Sequence, residues 1–260
     1  MKILHIANDY SGSKVYMRLF ESLDALGCQQ IVYTAIRSEE LVGRNYIKFN
    51  NTKSEIIYSH ILNIYDRINF YAKVKKIIKD IEAKVDISSI DIIHAHTWYS
   101  DGAVAYYLSK KHKTKYVVAV RNTDMNLFYK RMLHLRNIGK KILLNSSSVF
   151  FISPIYLKRF TSTSIFNKYR NLLKDRCHII MNGIDEYWIH NAVEERCFRK
   201  YFEEIRILYI GKFDKGKNVI RLIKAIKNLR KTKNVFLTLV GGGGNAEKKV
   251  LKSIDPSYMN

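Results

Sequence analysis

Short runs of β-branched and aliphatic residues alternate along this chain with longer segments of helical period, and this alternation restricts its fold more than any other feature. The pattern is typical of β-α-β units, in which helices join parallel strands. We therefore predict an α/β fold. The predicted strands are Lys2 to Ala7, Gln30 to Ala35, Ile90 to Ala95, Lys115 to Val120, Ser148 to Ile152, His178 to Met181, Ile205 to Ile210 and Val235 to Val240.

Helical periodicity is clearest from Asn218 to Arg230, where apolar residues recur on one face. Similar patterns predict helices from Val15 to Leu26 and from Gly102 to Lys111. The segment from Ile56 to Val85 is mixed in pattern, and we interpret it as helices around a variable loop.

Length and composition predict more than one folded body. The chain has 260 residues, and 47% of them are hydrophobic, which excludes a disordered protein. A turn at residues 182–185 and a charged segment at residues 194–204 interrupt the alternation, which then restarts. We predict an N-terminal domain at residues 1–183, a linker at residues 184–203 and a partial C-terminal domain at residues 204–260.

Cysteine usage and hydropathy bear on where the protein works. Three scattered cysteines, Cys28, Cys177 and Cys197, are too few for a disulfide framework, which favours a reducing, cytoplasmic setting. We find no run of about 18 apolar residues and no signal-peptide core. The sequence therefore predicts neither a membrane span nor export.

The charge balance predicts an anionic partner. Lys and Arg number 45 against 23 Asp and Glu, giving a formal net charge of +22. From Met125 to Lys174 there are ten basic residues and no acidic one, accompanied by eight aromatic residues. This stretch is either a solvated basic face or a contact with an anionic membrane surface. Nucleic-acid binding is a third hypothesis, but no recognised binding motif supports it.

Two strand ends carry groups suited to ligand binding, because ligands of open α/β sheets lie at the carboxyl edge. Residues 8–14 form a small-residue loop around Gly12 and Ser13 before a helix, which suits an anion or an ordinary tight turn. His94 and His96 end another strand on one face, and with no third ligand at suitable spacing we predict no metal site there. We interpret His5, which stands within an apolar strand, as a buried core histidine.

Two further loops carry charge at strand ends. Arg121 and Asp124 follow the fourth predicted strand, where they could bind hydroxyls and phosphates, or where residues 122–124 could cap a helix. In the C-terminal part, Lys212 and Lys217 lie between a strand and a helix, and residues 241–244 are four consecutive glycines. Two ammonium groups near flexible backbone would neutralise a diphosphate, and the glycines let backbone approach a ligand or form a loose turn.

These motifs, in this order, resemble the family 4 retaining glycosyltransferases of the GT-B fold. The resemblance is carried by the Ser11-Gly12-Ser13 loop, by Ile93-His94-Ala95-His96-Thr97-Trp98, by the strand Ser148 to Ser153, by Ile180 to Asp185, and by Ile207 to Lys217 with Leu239 to Gly243. It implies two Rossmann-like domains that move a sugar from a nucleotide diphosphate-sugar to an acceptor, without a metal ion or other cofactor.

The resemblance also assigns residues. It implies that Gly12, Ser13, Lys212, Lys217, Gly242 and Gly243 bind the donor, that Arg121, Asp124 and His96 act in catalysis, and that Asn182 and Gly183 form the hinge. The family usually has arginine at the position of Lys212 and often histidine at that of Arg121. Its paired-glutamate motif falls beyond residue 260, so we expect a complete acceptor domain joined to the first part of a donor domain.

The function hypotheses follow from these points. The leading hypothesis is a hexosyltransferase-type enzyme of surface polysaccharide or lipid-linked glycan assembly, which works in the cytoplasm, peripherally at the inner face of the membrane. Its partners would be a nucleotide-sugar, a glycan or lipid-linked acceptor and an anionic membrane, but no nucleic acid. The alternative hypothesis is a non-catalytic, truncated transferase that binds a sugar or a partner.

Overall fold

A computed structural model describes residues 1–192 and 204–254. Its contacts divide the chain into two compact units, Met1–Asn191 and Ala192–Asn260, which we call the large unit and the small unit. The predicted linker 184–203 begins within the large unit, and its residues 193–203 lie outside the described residues, as does Cys197.

The large unit is built on seven strands and eight α-helices within the described residues. The strands are β1 (Lys2–Ile6), β2 (Gln29–Ile36), β3 (Glu55–His60), β4 (Ile92–Ala95), β5 (Lys115–Val120), β6 (Ser148–Phe151) and β7 (Cys177–Ile179). The helices are α1 (Met17–Ala25), α2 (Phe70–Lys84), α3 (Ser100–His112), α4 (Arg136–Asn145), α5 (Pro154–Thr161), α6 (Ser164–Lys168), α7 (Arg170–Leu173) and α8 (Glu186–His190).

The seven strands form one parallel sheet in the order β3-β2-β1-β4-β5-β6-β7. The strand order reverses direction at β1, and in doubly wound sheets that switch point opens a crevice beside the carboxyl ends of the strands. This topology therefore places a ligand crevice at the ends of β1 and β4.

Both faces of this sheet are buried. One face carries Leu4 and Ile6 of β1 and packs against apolar residues of α2 to α7, including the fully buried Trp98 before α3. The other face carries Val32 and packs against Tyr16 and Phe20 from the first loop and α1. Parallel sheets need such double coverage, which explains their nearly continuous apolar strands.

The small unit contains β8 (Ile205–Ile210), α9 (Val219–Leu229), β9 (Val235–Val240) and α10 (Glu247–Ser253). The two strands are parallel and pair from Ile205 with Val235 to Ile210 with Val240. Phe213, Val219, Ile223, Ala246 and Val250 form its buried cluster.

One sequence prediction of the fold was wrong. The segment that we expected to contain only helices and a loop begins with β3, an edge strand that pairs with β2 from Ile31 with Glu55 to Ile36 with His60. The middle of β3, Ile56 to Tyr58, has the β-branched and aromatic residues that strands favour. Three of its six residues are half-buried, and the strand shows no clean alternation of apolar and polar positions.

Candidate functional site

A cavity of about 430 Å³ opens at the carboxyl edge of the large unit's sheet. Residues at or just beyond the ends of six strands, β1 to β6, line it, together with the first loop, α2 and the start of α3. The lining residues at the strand ends are Asn8, Asp9, Ala35, Arg37, Leu62, Thr97, Arg121 and Ile152. The fold therefore gathers charged and polar groups where its topology favours a ligand.

The first loop contributes its predicted glycine and serine to this cavity. Gly12 ends a short 3₁₀ turn that begins at Tyr10, and a Cβ added to Gly12 would meet no atom within 4 Å. The Ser13 hydroxyl accepts a hydrogen bond from the Val15 amide at 3.4 Å and so caps the next turn. Open space beside Gly12 fits close approach of a ligand, and donor binding by this loop stays a prediction.

Arg121 is held in place from three directions. Its Nε donates to the His96 carbonyl oxygen at 3.1 Å, and its Nη1 donates to Asn182 Oδ1 at 3.2 Å. The guanidinium carbon lies 5.0 Å from the centre of the Tyr16 ring. Arg121 thus lines the cavity with a fixed cation that can bind an oxyanion.

Asp124 also lines the cavity, but its carboxylate is occupied by backbone. Oδ2 accepts from the amides of Trp98 at 3.0 Å and Arg121 at 2.8 Å, and Oδ1 accepts from the amide of Tyr99 at 3.1 Å. Burial raises the pKa of this carboxyl to about 6, against the opposing effect of those amides. Its expected bonds to sugar hydroxyls are therefore replaced by a structural link between β5 and the segment before α3.

The alternative prediction, that residues 122–124 cap the following helix, does not describe the role of Asp124 either. The carboxylate holds the amides that precede α3, whereas a π-helical segment, Asp124–Tyr129, starts at Asp124 without a side-chain cap. The sequence indicated the residue but the wrong helix, because two of the three amides that it binds, those of Trp98 and Tyr99, lie 26 and 25 residues away along the chain.

His96 is fully buried on the opposite face from α3, and its imidazole is not among the groups that line the cavity. Spacing along the chain indicated no third ligand for His94 and His96, but the structure places His5 beside them. His5 pairs with His94 in the β1-β4 register, and ring nitrogens of all three lie within 4.8 Å of one another, so together they could hold a metal ion. Strand register, rather than spacing along the chain, supplies the third residue.

The three histidines are held as neutral rings. His5 Nδ1 and His96 Nε2 share a hydrogen bond of 3.1 Å, and the His94 and His96 rings stack at 4.1 Å. Burial, together with the neighbouring Arg121, lowers the pKa of His94 to about 4. Burial and then the neighbouring histidines lower the pKa values of His5 and His96 well below the usual range. A direct catalytic role for His96 is not favoured, whereas its carbonyl positions Arg121.

Several groups that line the cavity were not predicted as site residues, among them Asn8, Lys73 and Asp101. Asn8 Nδ2 donates to Asp101 Oδ1 at 2.6 Å, and Lys73 Nζ donates to the Ser100 hydroxyl at 3.0 Å. Asp101 is buried, its Oδ2 has no hydrogen-bond partner, and burial raises its pKa to about 7. The available signal was an aspartate beside a glycine at the start of an otherwise apolar helix face.

In the small unit, the predicted donor-binding lysines are both exposed. Lys212 follows β8, and Lys217 precedes α9. Gly242 and Gly243 lie in the loop after β9, where the Gly243 amide donates to Glu247 Oε1 at 2.8 Å and its carbonyl oxygen accepts from Phe213 N at 3.1 Å. The two loops are therefore tied to each other, and donor binding by these four residues stays a prediction.

The glycine run has a packing reason that the sequence did not indicate. A Cβ on Gly241 would lie 2.1 Å from the Gly211 carbonyl oxygen, and Gly241 has a φ of +143°. A Cβ on Gly244, at φ +92°, would lie 2.6 Å from Asp214 Oδ1. These glycines let the loops after β8 and β9 approach each other, which is a different role from the predicted approach to a ligand.

The predicted hinge residues, Asn182 and Gly183, are exposed within the large unit. Asn182 accepts the hydrogen bond from Arg121, and a Cβ on Gly183 would meet no atom within 4 Å. Asp185 follows them and caps α8 by accepting from the Tyr187 amide at 3.0 Å. The geometry permits movement at Gly183, and the hinge stays a prediction.

The basic stretch from Met125 to Lys174 differs from its prediction in one respect. Its eight aromatic side chains are buried or half-buried, and several stack against basic side chains, such as Tyr129 with Arg136 and Tyr156 with Arg159. Within the described residues, no salt bridge includes a basic residue of this stretch. The surface is thus an unneutralised basic face, but its aromatic rings are not free to insert into a membrane.

No helix among the described residues is both long enough and apolar enough to cross a bilayer.

Comparison with known proteins agrees with this geometry. The family model described as Glycosyltransferase Family 4 matches residues 12–187, which include the end of the first loop from Gly12 onward and most of the groups that line the cavity. An uncharacterized glycosyltransferase of Methanocaldococcus jannaschii is 26% identical over 182 residues, covering 69% of this chain and 45% of the relative. The chain thus spans less than half the length of this curated relative.

Solved structures show the same fold at low sequence identity. An E. coli structure described as trehalose-6-phosphate bound with UDP-2-fluoro glucose has a TM-score of 0.63 and 12% identity, covering 97% of this chain and 68% of that one. UDP-GlcNAc 2-epimerase from Neisseria meningitidis, bound to UDP-GlcNAc, has a TM-score of 0.53 and 13% identity. The match covers 100% of this chain and 71% of that one. The predicted fold class, an α/β protein of the GT-B type, is confirmed.

Proposed function

The chain belongs to glycosyltransferase family 4, and on that basis we propose that it takes part in moving a sugar from a nucleotide diphosphate-sugar to an acceptor. The observation that carries this proposal is the cavity at the carboxyl edge of the sheet, within the residues that the family model matches. That cavity combines cations, amides and hydroxyls, which are the groups that orient sugars and phosphates.

The acceptor is proposed to bind in this cavity of the large unit. Arg121 supplies a fixed guanidinium, Thr97 and Thr123 supply hydroxyls, and Asn8 and Asn122 supply amides. Neutral sugar hydroxyls find both donors and acceptors in such a lining. The space of about 430 Å³ is large enough for one or two sugar rings.

The donor diphosphate is proposed to bind at the loops of the small unit. Lys212 and Lys217 lie in the loop after β8, which the bond from the Phe213 amide to the Gly243 carbonyl oxygen ties to the glycine loop after β9. Two of the structures similar in fold are described as bound to UDP-sugars, which supports a nucleotide-sugar as the donor class. The proposal leaves the base and the sugar open.

The chemistry follows from charge. Negative charge develops on the leaving diphosphate as the bond to the sugar breaks, and the two ammonium groups stabilise that charge without a metal ion. Arg121 adds a cation in the large unit, whereas His96 and Asp124 act as positioning residues that hold it through a carbonyl and an amide contact. Rates unchanged by a chelator would support metal independence.

We also propose the kind of acceptor and a contact with the membrane. The acceptor would be a glycan or lipid-linked sugar of surface polysaccharide assembly, met at the inner face of the membrane by the basic face of the large unit. Flotation with liposomes that contain or lack anionic lipid tests this contact. Equal recovery from both would reject it, and neutralising Lys158 and Arg159 together should weaken flotation more than neutralising Lys110 and Lys115.

The central experiment measures donor binding and turnover with the purified chain. Calorimetric titration with UDP, UDP-glucose and UDP-GlcNAc should show binding that Lys212→Ala and Lys217→Ala weaken about tenfold, since each removes a charge-assisted contact. Lys224→Ala, on the exposed side of α9, is the matched control and should bind like the parent. If all three variants bind UDP and the UDP-sugars as tightly as the parent does, the assignment of Lys212 and Lys217 to the donor is contradicted.

Turnover separates the two function hypotheses. Release of UDP that depends on Arg121 and increases with an added glycan acceptor would establish a transferase. Binding of a nucleotide-sugar without any release would favour the alternative, a non-catalytic sugar-binding or partner-binding module.

A further inference from the structure

Two cations lie at one end of the large unit's cavity, apart from the groups that the function hypotheses used. Arg37 follows β2, and Lys73 lies on the first turn of α2 and is half-buried. Burial lowers the pKa of the Lys73 ammonium and Arg37 lowers it further, whereas the carboxylates of Asp101, Asp9 and Asp66 oppose this effect. The two side chains are therefore close enough for their like charges to repel each other.

Neither cation is neutralised by a bonded carboxylate. Within the described residues, no carboxylate lies within 4.0 Å of the Lys73 or the Arg37 charged group. Lys73 Nζ donates to the Ser100 hydroxyl at 3.0 Å and lies 5.7 Å from the centre of the Phe70 ring. Among residues 1–192 and 204–254, the Arg37 side chain has no hydrogen-bond partner.

The surroundings of these two charges are mixed. Ser100 is the first residue of α3, a helix of 13 residues whose N-terminus carries a positive partial charge. The Asp124 carboxylate accepts from the amides of Trp98 and Tyr99 just before this helix, which offsets part of that positive charge without bonding to Lys73 or Arg37. The nearby Asp101 compensates weakly, because it is already bonded to Asn8 and is partly protonated near neutral pH. Asp9 is exposed, at the cavity's rim.

We propose that this end of the cavity binds a phosphate group carried by the acceptor, held between Lys73, the Arg37 guanidinium and the Ser100 hydroxyl. A phosphate dianion matches two cations and a hydroxyl donor, whereas a neutral sugar would leave the charges of Lys73 and Arg37 unpaired. The identification of the ligand as the acceptor rests on the proposed function, but the anion site itself does not.

The test uses the full chain and four probes: inorganic phosphate, glucose 6-phosphate, glucuronate and glucose. Calorimetry should show binding of glucose 6-phosphate at least tenfold tighter than that of glucose or glucuronate. Lys73→Met, which keeps the apolar stem, and Arg37→Gln should each weaken glucose 6-phosphate binding about tenfold or more. Lys75→Met, on the same helix but outside the cavity, should bind like the parent.

Three results would overturn the proposal. They are no binding of either phosphate probe by the parent, equal binding by the parent and the Lys73 and Arg37 variants, and glucuronate binding as tight as that of glucose 6-phosphate. Circular dichroism of each variant identifies a failure to fold, and in that case the conservative Lys73→Arg should retain phosphate binding if the charge is what matters.

Failure of this inference can be told apart from failure of the proposed function. UDP affinity, measured on the Lys73 and Arg37 variants, should equal that of the parent, because the proposed donor site lies in the small unit. A parent that binds UDP but no phosphate probe keeps the proposed function and loses this inference. A parent that binds glucose 6-phosphate through Lys73 but binds no nucleotide-sugar would support the phosphate site and contradict the proposed function.

Discussion

The two units differ in how completely the faces of their parallel sheets are covered. In the large unit, helices and loops bury both faces of a seven-stranded parallel sheet, and its central strands have almost no exposed apolar atoms. In the small unit, α9 and α10 cover one face of a two-stranded sheet, while the other face exposes large apolar side chains, namely Leu208, Ile210, Phe236 and Val240.

This difference indicates that the large unit contributes more to the free energy of unfolding than the small unit. Parallel strands are ordinarily covered on both faces, and two strands alone are marginal. The large unit can draw on a continuous core, whereas the small unit depends on one cluster and on the contacts between its glycine loops. Substitutions of the same chemical kind should therefore have unequal effects in the two units.

The largest effect is expected from Trp98→Ala in the large unit. Trp98 is fully buried, its ring stacks on Tyr129, and its indole N–H donates to the Gly139 carbonyl oxygen at 2.9 Å. We expect a loss of about 4 kcal/mol in the free energy of unfolding, measured by urea denaturation and circular dichroism. Phe213→Ala in the smaller cluster should cost clearly less, and equal losses would contradict the contrast between the units.

A pH-dependent effect is expected from Asp101→Asn. Because the pKa of Asp101 rises from 3.8 to about 7 on folding, the folded state binds more protons over that interval, and this group's contribution to stability falls as pH rises. The variant loses that dependence, so its stability relative to the parent should rise by up to about 1.4 kcal/mol per pH unit between pH 4 and 7.

Urea midpoints at several pH values measure this difference. The exposed Asp175→Asn provides the comparison and should show no such trend. A parallel pH dependence of the parent and Asp101→Asn would mean that burial does not control the Asp101 proton.

A smaller and local effect is expected from Gly241→Ala. The new Cβ would collide with the Gly211 carbonyl oxygen and would strain the positive φ, at a cost of about 2 kcal/mol. Hydrogen exchange should accelerate in residues 204–254 and stay unchanged in the large unit. Gly216→Ala, which has open space and no unusual φ, should leave exchange as in the parent.

The smallest effect is expected from Leu208→Lys on the bare face of β8. Leu208 is 60% exposed, so the change should alter the unfolding free energy of the small unit by less than about 0.5 kcal/mol. Ile223→Lys, on the buried side of α9, should instead unfold the small unit. A loss of more than about 2 kcal/mol for Leu208→Lys would show that other atoms cover this face in solution.

Much of the fold was predictable because local pattern and burial agree. β5, β8 and β9 coincide with their predicted bounds, since each is a β-branched run enclosed by polar residues. The helix Val219–Leu229 follows from its apolar stripe. β3 was missed because a half-buried edge strand mixes polar and apolar residues on both faces.

The candidate site was predictable only as a set of strand ends. Sequence placed Gly12, Ser13 and Arg121 at one edge of a sheet, and the structure brings them around one cavity. Spacing along the chain gave no information on cross-strand register, which joins His5 to His94, or on the helix geometry that brings Lys73 to Ser100. Those contacts depend on tertiary packing.

The chain has two tryptophans, and their surroundings give it a built-in optical probe. Trp98 is 0% exposed, whereas Trp188 on α8 is 67% exposed. Indole emission shifts to longer wavelength in water, so the blue component of the fluorescence reports the large unit's core and the red component reports α8. Iodide should quench the red component selectively, which allows changes at α8 and loss of the core to be followed separately in one unlabelled sample.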